Sequence, residues 1–319
     1  MAPVTSALIT GISGQDGSYL AELLIGKGYD LHGLVRDPAA DHPNLAGMAG
    51  NLTLHEGDLR DEESLRSVIS AAGPDEVYNL AAFSSVGRSW DEADAVEDAN
   101  AVGVERLLRA VEELRPSARL FQASSSTMFG SEAPVPQNED TPVDPGSPYA
   151  RAKARAHALV GEARARGMHA SAGILFNHES PRRGPEFVTR KITRAVAAIK
   201  LGDQSGLQLG SLDARRDWGF AGDYVKAMWL MLQRADPVDL VIGSGASHSV
   251  GDFVDAAFAY AGLDPADHVS LDPDYVRPAE IAELRADPSR AREELGWTAT
   301  TGFEELVAMM VEADLEELG

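Results

Sequence analysis

The chain has 319 residues, 44% of them hydrophobic, enough for one large α/β domain with a smaller one appended. Its 28 Lys and Arg against 50 Asp and Glu leave a formal charge of −22, which argues against nucleic acid as a partner, because phosphate binding needs net or local basicity. It contains no cysteine, so disulfides and thiolate chemistry are excluded; no metal site is expected, and a reducing cytoplasm is the expected setting. The first ten residues do not read as a signal peptide, and no apolar run approaches the roughly 18 residues of a membrane span, so no membrane partner is expected.

Ser6 to Thr10 is a short apolar run feeding a loop with Gly11, Gly14 and Gly17. Tyr19 to Ile25 then has apolar residues at helical spacing, stopped by Gly26-Lys27-Gly28. A glycine loop between a strand and a helix lets the backbone approach a pyrophosphate, and the helix N-terminus supplies N–H groups and positive dipole. The three glycines are therefore expected to hold a dinucleotide. Leu31 to Val35 reads as a second strand. A carboxylate at its end would grip the ribose of NAD, but Arg36 suits a 2′-phosphate, so NADP is expected, with Asp37 keeping NAD open.

Leu52 to His55 reads as a third strand, with Asp58 and Leu59 after it expected beside the adenine. A helix over 62–72 precedes a fourth strand from Glu76 to Ala82, whose Leu80, Ala81 and Ala82 are expected at the cofactor. Further on come a helix over 100–114, a strand from Leu120 to Ser124, a long loop over 134–148, a helix over 148–166 and a strand from Ala172 to Phe176. This alternation predicts an α/β fold built on a doubly wound parallel sheet of Rossmann type. After residue 178 Arg-rich and Gly-rich loops (180–190, 202–219) interleave with short helices, and a last helix begins near Phe303. Residues 1–178, with returning segments near 210–245, are expected to bind the cofactor, and 179–319 to form a smaller substrate lobe.

Ser125, Tyr149 and Lys153 carry the chemistry. Tyr149 and Lys153 are four apart and share one helix face. A phenol titrates at about 10 and is a poor base at neutral pH, but a neighbouring ammonium stabilises the phenolate. Ser125 orients the substrate alcohol, whose proton passes to Tyr149 while a hydride leaves the same carbon for a nicotinamide.

Together with the runs Leu8 to Leu20, Ile174 to Gly184 (Ile-Leu-Phe-Asn-His-Glu-Ser-Pro-Arg-Arg-Gly), Phe187 to Ile192, Arg216 to Gly219 and Arg277 to Glu280, these residues make the chain resemble the extended short-chain dehydrogenase/reductases. Within them it is most similar to the GDP-mannose 4,6-dehydratases, over nearly its whole length. The resemblance implies cofactor contacts from Gln15, Asp16, Lys153, His178 and Arg183. It implies that Ser84, Ser85, Asn177, Lys191, Arg216, Arg277 and Glu280 hold a nucleoside-diphosphate sugar, guanosine-linked. It also implies a homodimer through helices 100–114 and 148–166, with a tetramer as the alternative.

Three departures from the family pattern bear on the outcome. Thr127 stands where the family has the Glu that eliminates water across C5 and C6, and the run Ser124 to Gly130 is closer to that of sugar-nucleotide 4-epimerases. Phe83-Ser84-Ser85 replaces Gln-Ser-His, and the segment from Asp37 to Pro43 replaces an Arg-bearing loop. A threonine hydroxyl has no useful pKa for acid–base work. The expected reaction is therefore 4-epimerisation, with 4,6-dehydration as the alternative, either through a residue outside the motif in place of the Glu or through Thr127 relaying by water, and 4-keto reduction as a third. A non-catalytic cofactor-binding scaffold would be expected to have lost part of the Ser125, Tyr149 and Lys153 set, which is intact.

Overall fold

The computed structural model describes residues 4–48, 50–272 and 281–319. Its first part runs β1 (Ser6–Thr10), α1 (Gln15–Gly26), β2 (Asp30–Val35), β3 (Leu52–Glu56), α2 (Glu62–Ala72), β4 (Glu76–Asn79), α3 (Ala93–Glu97), α4 (Gly103–Leu114), β5 (Arg119–Ser125), α5 (Pro148–Ala165) and β6 (His169–Leu175). Then follow β7 (His178–Glu179), α6 (Val188–Leu201), β8 (Leu207–Leu209), β9 (Arg215–Arg216), β10 (Gly219–Phe220), α7 (Ala221–Gln233), β11 (Asp239–Ile242), β12 (His248–Ser249), α8 (Val250–Ala261), β13 (Val269–Leu271), β14 (Glu283–Leu284), α9 (Ser289–Leu295) and α10 (Phe303–Leu318).

Seven strands form one parallel sheet in the order β11-β6-β5-β4-β1-β2-β3. Alternation along β1 explains the layers. Ala7 and Ile9 join α1 and α7 residues such as Leu20, Leu24, Val225 and Met228 in one core, while Leu8 joins α2, α4 and α5 residues such as Ile69, Leu107 and Val160 in the other. The strand order reverses between β1 and β4, so a crevice opens at their carboxyl ends, where such sheets bind ligands.

A third core sits apart from the sheet, built from Ile192 and Val196 of α6, Phe253 and Phe258 of α8, Leu306 and Met310 of α10, and Leu207 of β8. Arg190 ties α6 to α10 through the buried Asp314 at 2.7 Å. Among the described residues no helix is long and apolar enough to cross a membrane.

Several elements differ from the sequence expectation. β4 ends at Asn79, so Leu80 to Ala82 form a strap across the sheet end. The helix expected over 100–114 begins at Ala93 and passes through a π-helical stretch, Asp98–Val102, before α4. The helices after residue 178 are not short: α6 has 14 residues and α8 has 12. The seventh strand, β11, was not among the six expected, because Asp239–Ile242 offers only four residues of pattern.

Candidate active site

At the end of β1 the chain turns through Gly11, whose φ of +70° few L side chains adopt. A Cβ there would meet Ala81 Cα at 2.8 Å, so only glycine lets this loop lie against the strap after β4. At Gly17 a Cβ would collide with the Gly11 carbonyl oxygen. Gly14 caps α1 without any side-chain hydrogen bond, leaving the first-turn N–H groups for an anion. These glycines, Gln15 and Asp16 line a cleft of about 820 Å³ with Arg36, Asp58, Leu59, Leu80, Ala81, Ala82, Ser84 and Arg183.

The residues present fit a dinucleotide. The cleft joins an uncapped helix N-terminus to an apolar wall of Leu34, Val35 and Leu59. It also gathers five arginines (36, 60, 88, 182 and 183) against four carboxylates (16, 58, 92 and 186), local basicity in an acidic chain. Asp58 is gripped by Arg60 Nη2 at 2.7 Å, and that hydrogen bond holds its carboxyl below the usual range.

β5 delivers Ser125 to the sheet end, where its side chain caps the short turn Ser126–Phe129 by accepting from Thr127 N. Ser125 Oγ also lies 3.0 Å from Thr127 Oγ1. α5 starts at Pro148 with Ser147 accepting from Ala150 N, and this cap fixes Tyr149 and Lys153 one turn apart. Lys153 Nζ donates to the Ala123 carbonyl at 3.0 Å, and burial pushes its ammonium down to about 8. Burial pushes the Tyr149 phenol up, against the pull of the Ser125 hydroxyl and the charge of Arg183. Lowering of the phenol by Lys153 is therefore not seen: the ammonium is directed at Ala123, 5.9 Å from the Tyr149 ring centroid.

Next to this set, His178 Nε2 donates to Asp16 Oδ2 at 2.8 Å, and Nδ1 donates to the Phe176 carbonyl at 2.7 Å. With both nitrogens facing acceptors the ring is an imidazolium. Burial alone would lower its pKa, but the charge and hydrogen bond of Asp16 hold it above its ordinary value. Burial likewise works against the Asp16 carboxylate, yet His178 keeps its pKa below the usual range. His178 thus stands against Asp16 and is not among the residues lining the cleft. Arg183 does line it, with Nε 3.0 Å from buried Glu179 and its guanidinium over the Phe187 ring.

The residues expected to hold the sugar nucleotide fall in several places. Ser84 lines the cleft, whereas Ser85 Oγ accepts from Arg88 N within its own turn. The Asn177 carbonyl accepts from Gly219 N at 3.0 Å. Lys191 lines a separate cavity of about 700 Å³ between α6 and β8, where it donates to the Gln208 carbonyl at 2.7 Å. Arg216 donates to the Ile281 carbonyl at 2.7 Å. Arg277 and Glu280 lie outside the described residues.

One residue escaped the sequence reading. Asn100, 2% exposed, sits on the π-helical stretch. Its Oδ1 accepts from Phe83 N at 2.7 Å and its Nδ2 donates to Phe83 O at 2.9 Å, which pins the strap lining the cleft. The available signal was an Asn flanked by Ala99 and Ala101 on a helix, a polar side chain where burial was due.

Fold and site together define an NAD(P)-dependent enzyme of the short-chain dehydrogenase/reductase type, in the epimerase/dehydratase branch that modifies nucleotide sugars. Residues 8–310 match the family model described as GDP-mannose 4,6 dehydratase. GDP-mannose 4,6 dehydratase 1 of Arabidopsis thaliana is 50% identical over 329 aligned residues, covering 98% of this chain and 91% of that protein. The chain belongs to the GDP-mannose 4,6-dehydratase family. Among solved structures, MoeE5 in complex with UDP-glucuronic acid and NAD is similar with a TM-score of 0.85 and 28% identity, covering 98% of this chain and 100% of that one. The UDP-glucose 4-epimerase of Thermotoga maritima has a TM-score of 0.87 at 24% identity, covering 98% and 99%, a likeness of fold alone.

Proposed function

We propose that this protein is a GDP-mannose 4,6-dehydratase. What carries the reading is an intact Ser125, Tyr149 and Lys153 set in a chain half identical to an enzyme of that name. The expectation of 4-epimerisation gives way here to its alternative, since family membership extends over residues 8–310 and not over one motif.

In this reading Ser125 orients the C4 hydroxyl and Tyr149 takes its proton, and the Lys153 ammonium, which donates to Ala123 in the free protein, would turn to stabilise the phenolate once cofactor and substrate are bound. Bound NADP would accept the hydride from C4 and return it to C6, while C5 takes up the proton that Tyr149 removed from the C4 hydroxyl, so that only water is lost overall. Gly11, Gly14, Gly17 and the α1 N-terminus hold its diphosphate, Asp58 and Leu59 flank its adenine, and Arg36 faces a 2′-phosphate, with NAD as the alternative. The C4 ketone acidifies the C5 proton, which lowers the demand on the base that removes it. Thr127, hydrogen-bonded to Ser125, holds the water that removes that proton and returns one to the departing C6 hydroxyl.

Lys191, Arg216, Arg277 and Glu280 hold the guanosine diphosphate, by charge on the phosphates and by a carboxylate accepting from guanine N–H groups. Two copies pair through α4 and α5, in a cytoplasmic enzyme. A second reading, 4-epimerisation, is favoured by one observation, the hydroxyl at position 127 in place of a carboxylate. Incubation with GDP-mannose and catalytic NADP or NAD, followed by mass spectrometry, tests the choice. A product lighter by one water supports dehydration, and a new product of unchanged mass overturns it.

A further inference from the structure

Asp16 is the second residue of α1, at the helix end proposed to receive the cofactor diphosphate. A helix N-terminus attracts one anion, and a carboxylate there competes with a phosphate for the same N–H groups and dipole. An aspartate lining this cleft is therefore at odds with the anion it is meant to admit.

The geometry shows how the conflict is removed. His178 donates to Asp16 at 2.8 Å and is held by the Phe176 carbonyl at its other nitrogen. The ring also stacks on Tyr224 with centroids 4.6 Å apart, which supports one of its faces. The contact is reinforced from both sides: Gln15 Nε2 donates to the His178 carbonyl at 3.0 Å, and Ser180 Oγ donates to Gln15 Oε1 at 2.9 Å. Arg182 Nη1 then reaches Ser18 at 3.1 Å. Residues 178–182 are thus latched onto the first turn of α1, and the latch carries Arg183 to the cleft wall.

We propose that Asp16 and His178 act as a positioning pair: His178 neutralises the Asp16 carboxylate so that the α1 N-terminus accepts the cofactor diphosphate, and the pair fixes the segment that bears Arg183. Asp16 is then the counter-ion of His178 and not itself a reader of the cofactor. The other charged or titratable groups packed around the pair are Glu179 on β7, Arg183 after it, Tyr149 and Lys153 on α5, and Tyr224 on α7 with Asp217 and Asp223 around it. The inference rests on the reading of the cleft as the NAD(P) site.

The charges predict an order of effects that simple damage to the structure would not produce. His178→Gln leaves a lone carboxylate facing the diphosphate and is expected to weaken NADP binding at least tenfold. Asp16→Asn removes that negative charge, so its loss is expected to be smaller. The double variant Asp16→Asn/His178→Gln is expected to recover most of the affinity lost in His178→Gln. Binding is measured by calorimetry with NADP and with NAD, on variants whose circular dichroism matches the wild type. The His178 imidazole pKa, read by NMR in the wild type, is expected above 6.5 and to fall in Asp16→Asn. A double variant that binds as weakly as His178→Gln, or a His178 pKa unmoved by Asp16→Asn, overturns this inference alone. A wild type that binds neither nucleotide overturns the cofactor reading and the inference with it.

Discussion

Ser125 Oγ and Thr127 Oγ1 lie 3.0 Å apart, so the hydroxyl proposed to orient the C4 alcohol is joined to the one standing where the proposed elimination needs a base. If Thr127 works only through water, a carboxylate in its place should work better. Thr127→Glu is expected to speed water loss by about 10²-fold, at the low end of what general acid–base help contributes. Thr127→Val is expected to slow it about tenfold while C4 oxidation persists, a split that single-turnover product analysis resolves. Equal rates for wild type and Thr127→Glu would contradict the role given to position 127.

Lys153 is 5% exposed and its pKa is lowered from 10.5 to about 8 by burial. A shift of that size costs the fold about 3 kcal/mol while the group is charged. The sign follows from proton counts. Below about 8 both folded and unfolded chains hold the proton and the cost is present in full. Between about 8 and 10.5 the unfolded chain binds more protons, so this contribution to stability rises with pH. Lys153→Met is therefore expected to melt several degrees higher than wild type at pH 7 and to lose hydride transfer. In the wild type, hydride transfer is expected to fall as pH rises through about 8, as the ammonium is lost. Thermal melts and a pH profile check both.

Gly14 and Gly17 look alike in the sequence but differ in space. A Cβ at Gly14 would lie 3.3 Å from the Gly11 carbonyl oxygen, a contact that a small shift relieves, whereas at Gly17 it would strike the backbone of both Gly11 and Ile12. Gly17→Ala is expected to cost about 3 kcal/mol or more and to abolish cofactor binding. Gly14→Ala should cost under about 1 kcal/mol and retain binding. Denaturant melts and NADP calorimetry on the two variants measure the contrast.

Asn100 satisfies both backbone groups of Phe83. Asn100→Ala leaves them without their partners and is expected to destabilise by about 1–3 kcal/mol. It should also raise KM for the cofactor more than it lowers kcat, because the strap from Leu80 to Ser84 lines the cleft. An unchanged KM would mean that the strap holds itself.

The sheet was legible because its strands are apolar runs separated by amphipathic helices, and the placement of Gly11, Tyr149 and Lys153 was legible because it depends on local spacing. What stayed hidden depended on distance. His178 meets Asp16 across 162 positions, and Asn100 meets Phe83 through a π-helical stretch that no period of 3.6 announces. Strand β11 pairs with β6 on the far side of α7. Thr127 departs from the family pattern at one side chain, whereas the family match runs over residues 8–310, and that favours dehydration over 4-epimerisation.

The most direct test is the fate of a single deuterium placed on C4 of GDP-mannose and followed through turnover with catalytic NADP. The account predicts a product that has lost one water and carries the deuterium on C6, because the hydride taken from C4 is returned there. A product of unchanged mass with the deuterium still on C4 would contradict it, and would mean that the Ser125, Tyr149 and Lys153 set serves an epimerase.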